Sequence, residues 1–142
     1  MHLDIALLKQ QHVGILNASR VLTGLMAGTF ADAAPHIGQA RTTLARLIAE
    51  HLKSEDEILH APLRDHKLTD QIPGYAAIAA ETRDLRLRYS AHIGEWPARA
   101  VEADWQTYIV EARRLSQAVT ALAAQEEREI YPAAQRLLAG MR

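Results

Sequence analysis

Apolar residues recur at every third or fourth position through four long stretches of the chain, the spacing typical of amphipathic helices. The first predicted helix runs from about Leu3 to Met26, near glycines that weaken its end. The second follows Asp32, which we expect as its N-cap, with Pro35 in the first turn. The pattern therefore fills most of the first half of the chain with two helices.

The second half repeats this arrangement after a loop rich in turn-forming residues, Leu63 to Gly74. The third predicted helix covers about Tyr75 to Glu95, and the fourth covers about Asp104 to Tyr131, where Pro132 should kink or stop it. Short connections between long helices place neighbours antiparallel. The sequence thus predicts an all-α fold, with residues 1–142 forming one antiparallel up-down-up-down four-helix bundle.

The composition agrees with a helical protein and narrows its partners. Hydrophobic residues make up 49% and aromatic residues 5% of the chain, with alanine and leucine dominant. A net charge of -1 provides no basic surface for nucleic acid or for anionic membranes, so neither is expected as a partner. The sequence has no membrane-spanning apolar stretch of about 20 residues and no basic-then-apolar leader, so we expect a cytoplasmic protein. The wide apolar stripes would also permit a homodimer.

The chemistry available to the chain is restricted by what it lacks. It contains no cysteine, which leaves histidine and carboxylate side chains as the strong metal ligands. It also has no glycine-rich phosphate loop after a strand, and no nucleophile beside a base at motif spacing. Hydrolase and kinase chemistry therefore has no support.

An acidic run that closes with an apolar pair and a proline occurs twice. The first copy starts at His51 and ends at Pro62, and the second starts at Leu122 and ends at Pro132. In the first copy His51 precedes Glu55 by four residues, so both lie on one face of a helix. The second copy keeps the acidic residue, Glu126, but has leucine in place of the histidine. The repeat predicts a metal site of which only part is retained.

A further histidine, His12, lies on the apolar stripe of the first helix. Counted in residues, it is almost as far as His51 from the turn that joins the first two helices. Antiparallel packing therefore places both histidines in one layer, which Glu55 and Glu126 should join. The third helix offers only Thr82 and Leu85 in that layer. His92 lies roughly 12 Å further along the helix, which makes it a doubtful ligand.

A histidine on the first helix, His-x-x-x-Glu on the second, and two acidic runs closed by proline make the chain resemble the hemerythrin-like, or HHE cation-binding, family. The resemblance covers nearly the whole chain. It implies a four-helix bundle with a non-haem di-iron centre that binds oxygen, handles peroxide or nitric oxide, or serves sensing. Carried over by position, the metal ligands would be His12, His51, Glu55 and Glu126.

The departures from that family leave two interpretations open. Leu122 stands where the family has a histidine, and a third-helix histidine is missing from the layer, so one iron ion is favoured over two. Its ligand would be a diatomic molecule or peroxide. Alternatively, the histidines and carboxylates pair without any metal, and the chain is a helical interaction module that binds a protein partner in stress or regulatory signalling.

The remaining histidines are expected to have no role in the site. His60 and His66 fall near the end of the second helix and in the loop, where solvated histidine is common. His2 and His36 lie near the ends of elements, and we expect both to be exposed.

Overall fold

The computed structural model describes residues 3–141, which are almost entirely helical and contain no strand. His2 lies outside the described residues. This confirms the all-α prediction. The helices, in chain order, are α1 (Ile5–Leu25), α2 (Phe30–Glu55), α3 (Ala61–Asp65), α4 (Tyr75–Glu95), α5 (Ala98–Ala103), α6 (Trp105–Gln125) and α7 (Tyr131–Ala139). A 3-10 turn, Thr69–Gln71, lies in the loop before α4.

The long helices pack side by side, with α1 against both α2 and α6, and α4 against α6. This packing is compatible with a four-helix bundle. Two apolar clusters form the core, and the candidate ligands lie between them along the chain. On α1, His12 falls between Leu8 of one cluster and Ile15 of the other, and on α2 His51 falls between Leu44 and Leu59 in the same way.

The start of α2 differs from the sequence prediction. Thr29, not Asp32, is the N-cap, because its hydroxyl accepts a hydrogen bond from the Asp32 amide at 3.2 Å while its own backbone is extended. The helix therefore begins at Phe30, and Pro35 lies inside it instead of in its first turn.

Neither Pro62 nor Pro132 ends its helix, which corrects the predicted stop at Pro132 and the predicted loop from Leu63. In both places a five-residue π-helical turn, Asp56–His60 or Glu126–Ile130, precedes the next helix. The residue before each proline donates its amide to the carbonyl five residues back, and the proline takes the second position of α3 or α7. A proline in that position needs no amide hydrogen, so the chain stays helical.

Helix α4 is the least buried of the four long helices. It buries only Tyr75 and Ile78, whereas Thr82, Leu85, Tyr89 and His92 are partly exposed. Among residues 3–141, no helix has the length and apolar character needed to cross a membrane.

Candidate metal centre

The structure brings the four predicted ligands together in the interior. One possible ligand atom from each of His12, His51, Glu55 and Glu126 lies within 4.8 Å of all the others. Every one of these side chains is buried, with Glu55 only 1% exposed. Helices α1 and α2 supply the two histidines and Glu55, and the π-helical turn that follows α6 supplies Glu126.

Each histidine is held by its outer nitrogen, which leaves the inner one facing the group. His12 Nδ1 lies 2.9 Å from the Glu127 carboxylate, and His51 Nδ1 lies 2.9 Å from the Gln11 side-chain oxygen. Gln11 is itself fixed by donating to Ser54 Oγ at 2.9 Å. Acceptors on Nδ1 place the proton there and leave the Nε2 lone pair free, the arrangement found in metal-bound histidines.

Glu55 is the hub of the group. Its Oε2 accepts a 2.5 Å hydrogen bond from the Tyr131 hydroxyl and lies 3.0 Å from His51 Nε2, while its Oε1 lies 3.1 Å from His60 Nε2. His60 is supported in turn by the Tyr75 hydroxyl, 2.6 Å from its Nδ1. Burial raises the pKa of Glu55, but its close interactions with Glu126, His51 and His60 outweigh the burial and hold that pKa well below its usual range. Glu55 is therefore the ionised carboxylate.

Glu126 has the opposite electrostatic character. Burial, the neighbouring Glu55 and, further away, Glu127 raise the pKa of Glu126 to about 11. Its Oε2 is buried and makes no hydrogen bond to the described residues, and the nearest histidine nitrogen, His12 Nε2, lies 3.8 Å from Oε1. Two adjacent buried carboxylates without a cation thus share one negative charge and one proton.

Two members of this network, His60 and Tyr131, were missed by the sequence analysis. His60 is not a solvated histidine: its side chain is 15% exposed and bonded to Glu55, whereas His66 is exposed as expected. His60 lies five residues after Glu55, and Tyr131 lies five residues after Glu126. Residues five apart are on different faces of an α-helix but on the same face of a π-helical turn. The signal in the sequence was the proline after each acidic run.

Mostly apolar side chains, together with Thr82 and Arg86, line the remaining side of the layer. A small cavity of about 50 Å³ beside the ligands is lined in part by Thr82, Leu85 and Leu122, as the helix registers predicted. His92 is not part of the group; it stacks on Tyr108 in the second apolar cluster, with ring centroids 5.7 Å apart. The described residues therefore provide donors for one ion, and no further histidine or carboxylate lines this cavity where a second set of donors would be needed.

The donor set fits a metal ion. Donors arranged tetrahedrally around an ion with bonds of about 2.1 Å lie about 3.4 Å apart, so the four atoms, which lie within 4.8 Å of one another, would have to close by roughly 1 Å to bind one ion. His51 Nε2 and Glu126 Oε2 are buried and make no aligned hydrogen bond, as expected of atoms that point at a ligand position. Two histidines and two carboxylates suit Fe(II), Mn(II) or Zn(II).

Removing the Tyr131 hydroxyl tests the network without touching the four donors. We expect Tyr131→Phe to lower the free energy of unfolding of the metal-free protein by about 2 kcal/mol, because a buried bond to an ionised carboxylate is lost. Urea denaturation in the presence of chelator measures this. Tyr89→Phe is the matched control, since the Tyr89 hydroxyl bonds no residue among 3–141. Equal effects of the two substitutions would show that the Tyr131–Glu55 bond contributes nothing specific.

Comparison with known proteins adds no assignment: neither a family model nor a curated protein nor a solved structure matches this chain.

Proposed function

We propose that the chain is a hemerythrin-like metal-binding protein that holds one non-haem iron ion with His12, His51, Glu55 and Glu126. The observation that carries the proposal is the convergence of these four buried side chains, whose ligand atoms lie within 4.8 Å of one another. Glu127 and Gln11 hold the Nδ1 atoms of the two histidines, which leaves both Nε2 atoms facing the group. Burial lowers the pKa of His12, against the opposing effect of Glu127, so this ring is neutral and able to ligate.

The fold that we propose for this function is the up-down-up-down bundle. Helices α1 and α2 are joined by a turn of a few residues and pack along each other, and α4 packs along α6. Antiparallel neighbours of this kind bring His12 and His51 to the same height, and their ring centroids are 4.4 Å apart.

When bound, a ferrous ion with an open coordination position would supply affinity for oxygen, peroxide or nitric oxide. The chain's own residues set the conditions for that chemistry. Leu85 and Leu122 line the small cavity beside the ligands and restrict it to small molecules. Tyr131 holds the ionised Glu55 oxygen in place, and Glu127 and Gln11 fix the orientation of the two rings. These features favour a role in sensing or handling a diatomic ligand or peroxide.

The experiment is elemental analysis of untagged protein purified from iron-supplemented cells, beside His51→Ala. We expect about one iron atom per chain in the wild type and less than about a tenth of that in the variant. A metal site loses most of its affinity for the ion when one of its ligand side chains is removed. His66→Ala, an exposed histidine outside the group, is the control and should keep its metal. Two atoms per chain would contradict the single-ion proposal.

A second candidate is supported by the same residues. Glu55 is satisfied by Tyr131, His51 and His60 without any ion, and apolar side chains already occupy part of the layer. On this alternative the chain is a metal-free helical module that binds a protein partner. Metal far below one atom per chain in both wild type and His51→Ala, with no change of stability on adding chelator, would select it.

A further inference from the structure

A second cavity lies apart from the metal centre, between helices α2, α4 and α6. Its volume is about 380 Å³, within the range of small-molecule sites in proteins. Ile48, Tyr89 and Val119 line both this cavity and the small one beside the metal ligands, so they form the partition between the two. None of the four candidate ligands lines the larger cavity.

One wall of the cavity carries a cation, Arg41. Arg41 is half-buried, its guanidinium lies 5.3 Å from the centre of the Tyr108 ring, and one of its nitrogens donates to the Trp96 carbonyl. Within residues 3–141 no carboxylate lies within 4.0 Å of it. The neighbouring Glu111 accepts from the Trp96 indole at 2.6 Å and does not line the cavity. A partly desolvated guanidinium without a carboxylate partner is suited to an anionic ligand.

The other walls are aromatic and apolar. The rings of His92 and Tyr108 are stacked at 5.7 Å, and Trp96 meets Tyr108 edge-on at 5.6 Å. The His92 Nδ1 atom and the Tyr108 hydroxyl are buried and make no hydrogen bond of ordinary geometry, and Arg41 is the side chain that approaches the Tyr108 hydroxyl. Burial and the adjacent Arg41 lower the pKa of His92, so Arg41 is the one cation of this wall at neutral pH.

We propose that this cavity binds a small aromatic carboxylate, whose carboxylate pairs with Arg41 and whose ring stacks within the aromatic wall. Arg41 supplies the charge that selects an anion, and offset or edge-on ring contacts with Tyr89, Trp96 and Tyr108 favour an aromatic over an alkyl body. The site does not depend on metal, because its polar groups, Arg41, His92 and Tyr108, line the larger cavity and none of the four metal ligands does.

Isothermal titration calorimetry with 1-naphthoate tests the proposal on the full chain. We expect a one-to-one complex with a Kd on the order of 100 µM or tighter. Arg41→Gln should weaken binding by about tenfold or more, because the charge partner is lost. Arg46→Gln is the matched control: it removes an exposed arginine from the same helix and should leave the Kd unchanged. The neutral amide of naphthoate and the alkyl acid decanoate should both bind more weakly than 1-naphthoate.

Two further variants keep the test decisive. Ala45→Phe fills the cavity without removing charge and should abolish binding even if Arg41→Gln affects folding, which circular dichroism monitors. His51→Ala should bind 1-naphthoate as the wild type does. Loss of binding in His51→Ala but not in Arg41→Gln would place the carboxylate at the metal centre and overturn the proposal. So would absence of binding to wild-type protein, which would leave the cavity as a packing gap beside α4.

Discussion

Glu55→Ala is expected to remove the bound metal and, in addition, to destabilise the metal-free protein by about 3–5 kcal/mol, the usual cost of removing one partner from a buried charged group. Three side chains lose their partner at once: Tyr131, His51 and His60 all contact this carboxylate. Glu55 is 1% exposed, so water does not replace the lost contacts without rearrangement. Elemental analysis gives the metal content, and urea denaturation with chelator gives the stability of the metal-free state.

Glu57→Ala is the control for this substitution, since Glu57 lies in the adjoining π-helical turn but is exposed. It should change the free energy of unfolding by no more than about 0.5 kcal/mol. A Glu55→Ala protein that unfolds at the wild-type urea concentration would mean that the carboxylate is not the hub of the network. Because the denaturation is done without metal, that result would be separate from any result on metal binding.

Leu138→Ala is the second substitution with a large expected effect, about 2–5 kcal/mol of destabilisation. Leu138 is fully buried and belongs to the apolar cluster that also contains Leu59 and Leu63. It lies on α7, which was not predicted from the sequence and which packs against α3. Thermal or urea unfolding measures the loss.

The control for α7 is Leu87→Ala on α4, where the side chain is 69% exposed. Its removal should cost no more than about 0.5 kcal/mol. If Leu138→Ala is as mild as Leu87→Ala, the C-terminal helix is not docked on the core, and the cluster ends before it.

Regular α-helical spacing explains which site residues could be found from the sequence. His51 and Glu55 lie four apart within α2, and His12 lies on the buried stripe of α1, so a constant angle per residue was enough to bring them together. Tyr131 and His60 could not be found that way, because the turn between each of them and the preceding glutamate is π-helical. The fold prediction also failed at these two π-helical turns: it extended the loop after the first and ended the last helix at the second.

The supporting residues Gln11 and Glu127 were missed for another reason. Each follows or precedes a predicted ligand directly in sequence, and a helix points such neighbours about 100° apart. Both nevertheless reach a histidine on a different helix, since Gln11 binds His51 and Glu127 binds His12. Contacts between helices depend on side-chain length and on how the helices are rotated, and neither is encoded in the spacing of one helix.

The two π-helical turns also fix the angular phase of the chain beyond them. Each turn contains one residue more than the α-helical turn that it replaces, so the same sequence in an uninterrupted α-helix would place α7 about 100° further round the helix axis. That rotation would carry Ala134 and Leu138 from the core towards solvent and take Tyr131 away from Glu55. The geometry of the donor group and the docking of the C-terminal helix thus both depend on the π-helical turn Glu126–Ile130. A mutation that converts this turn to α-helix would alter both.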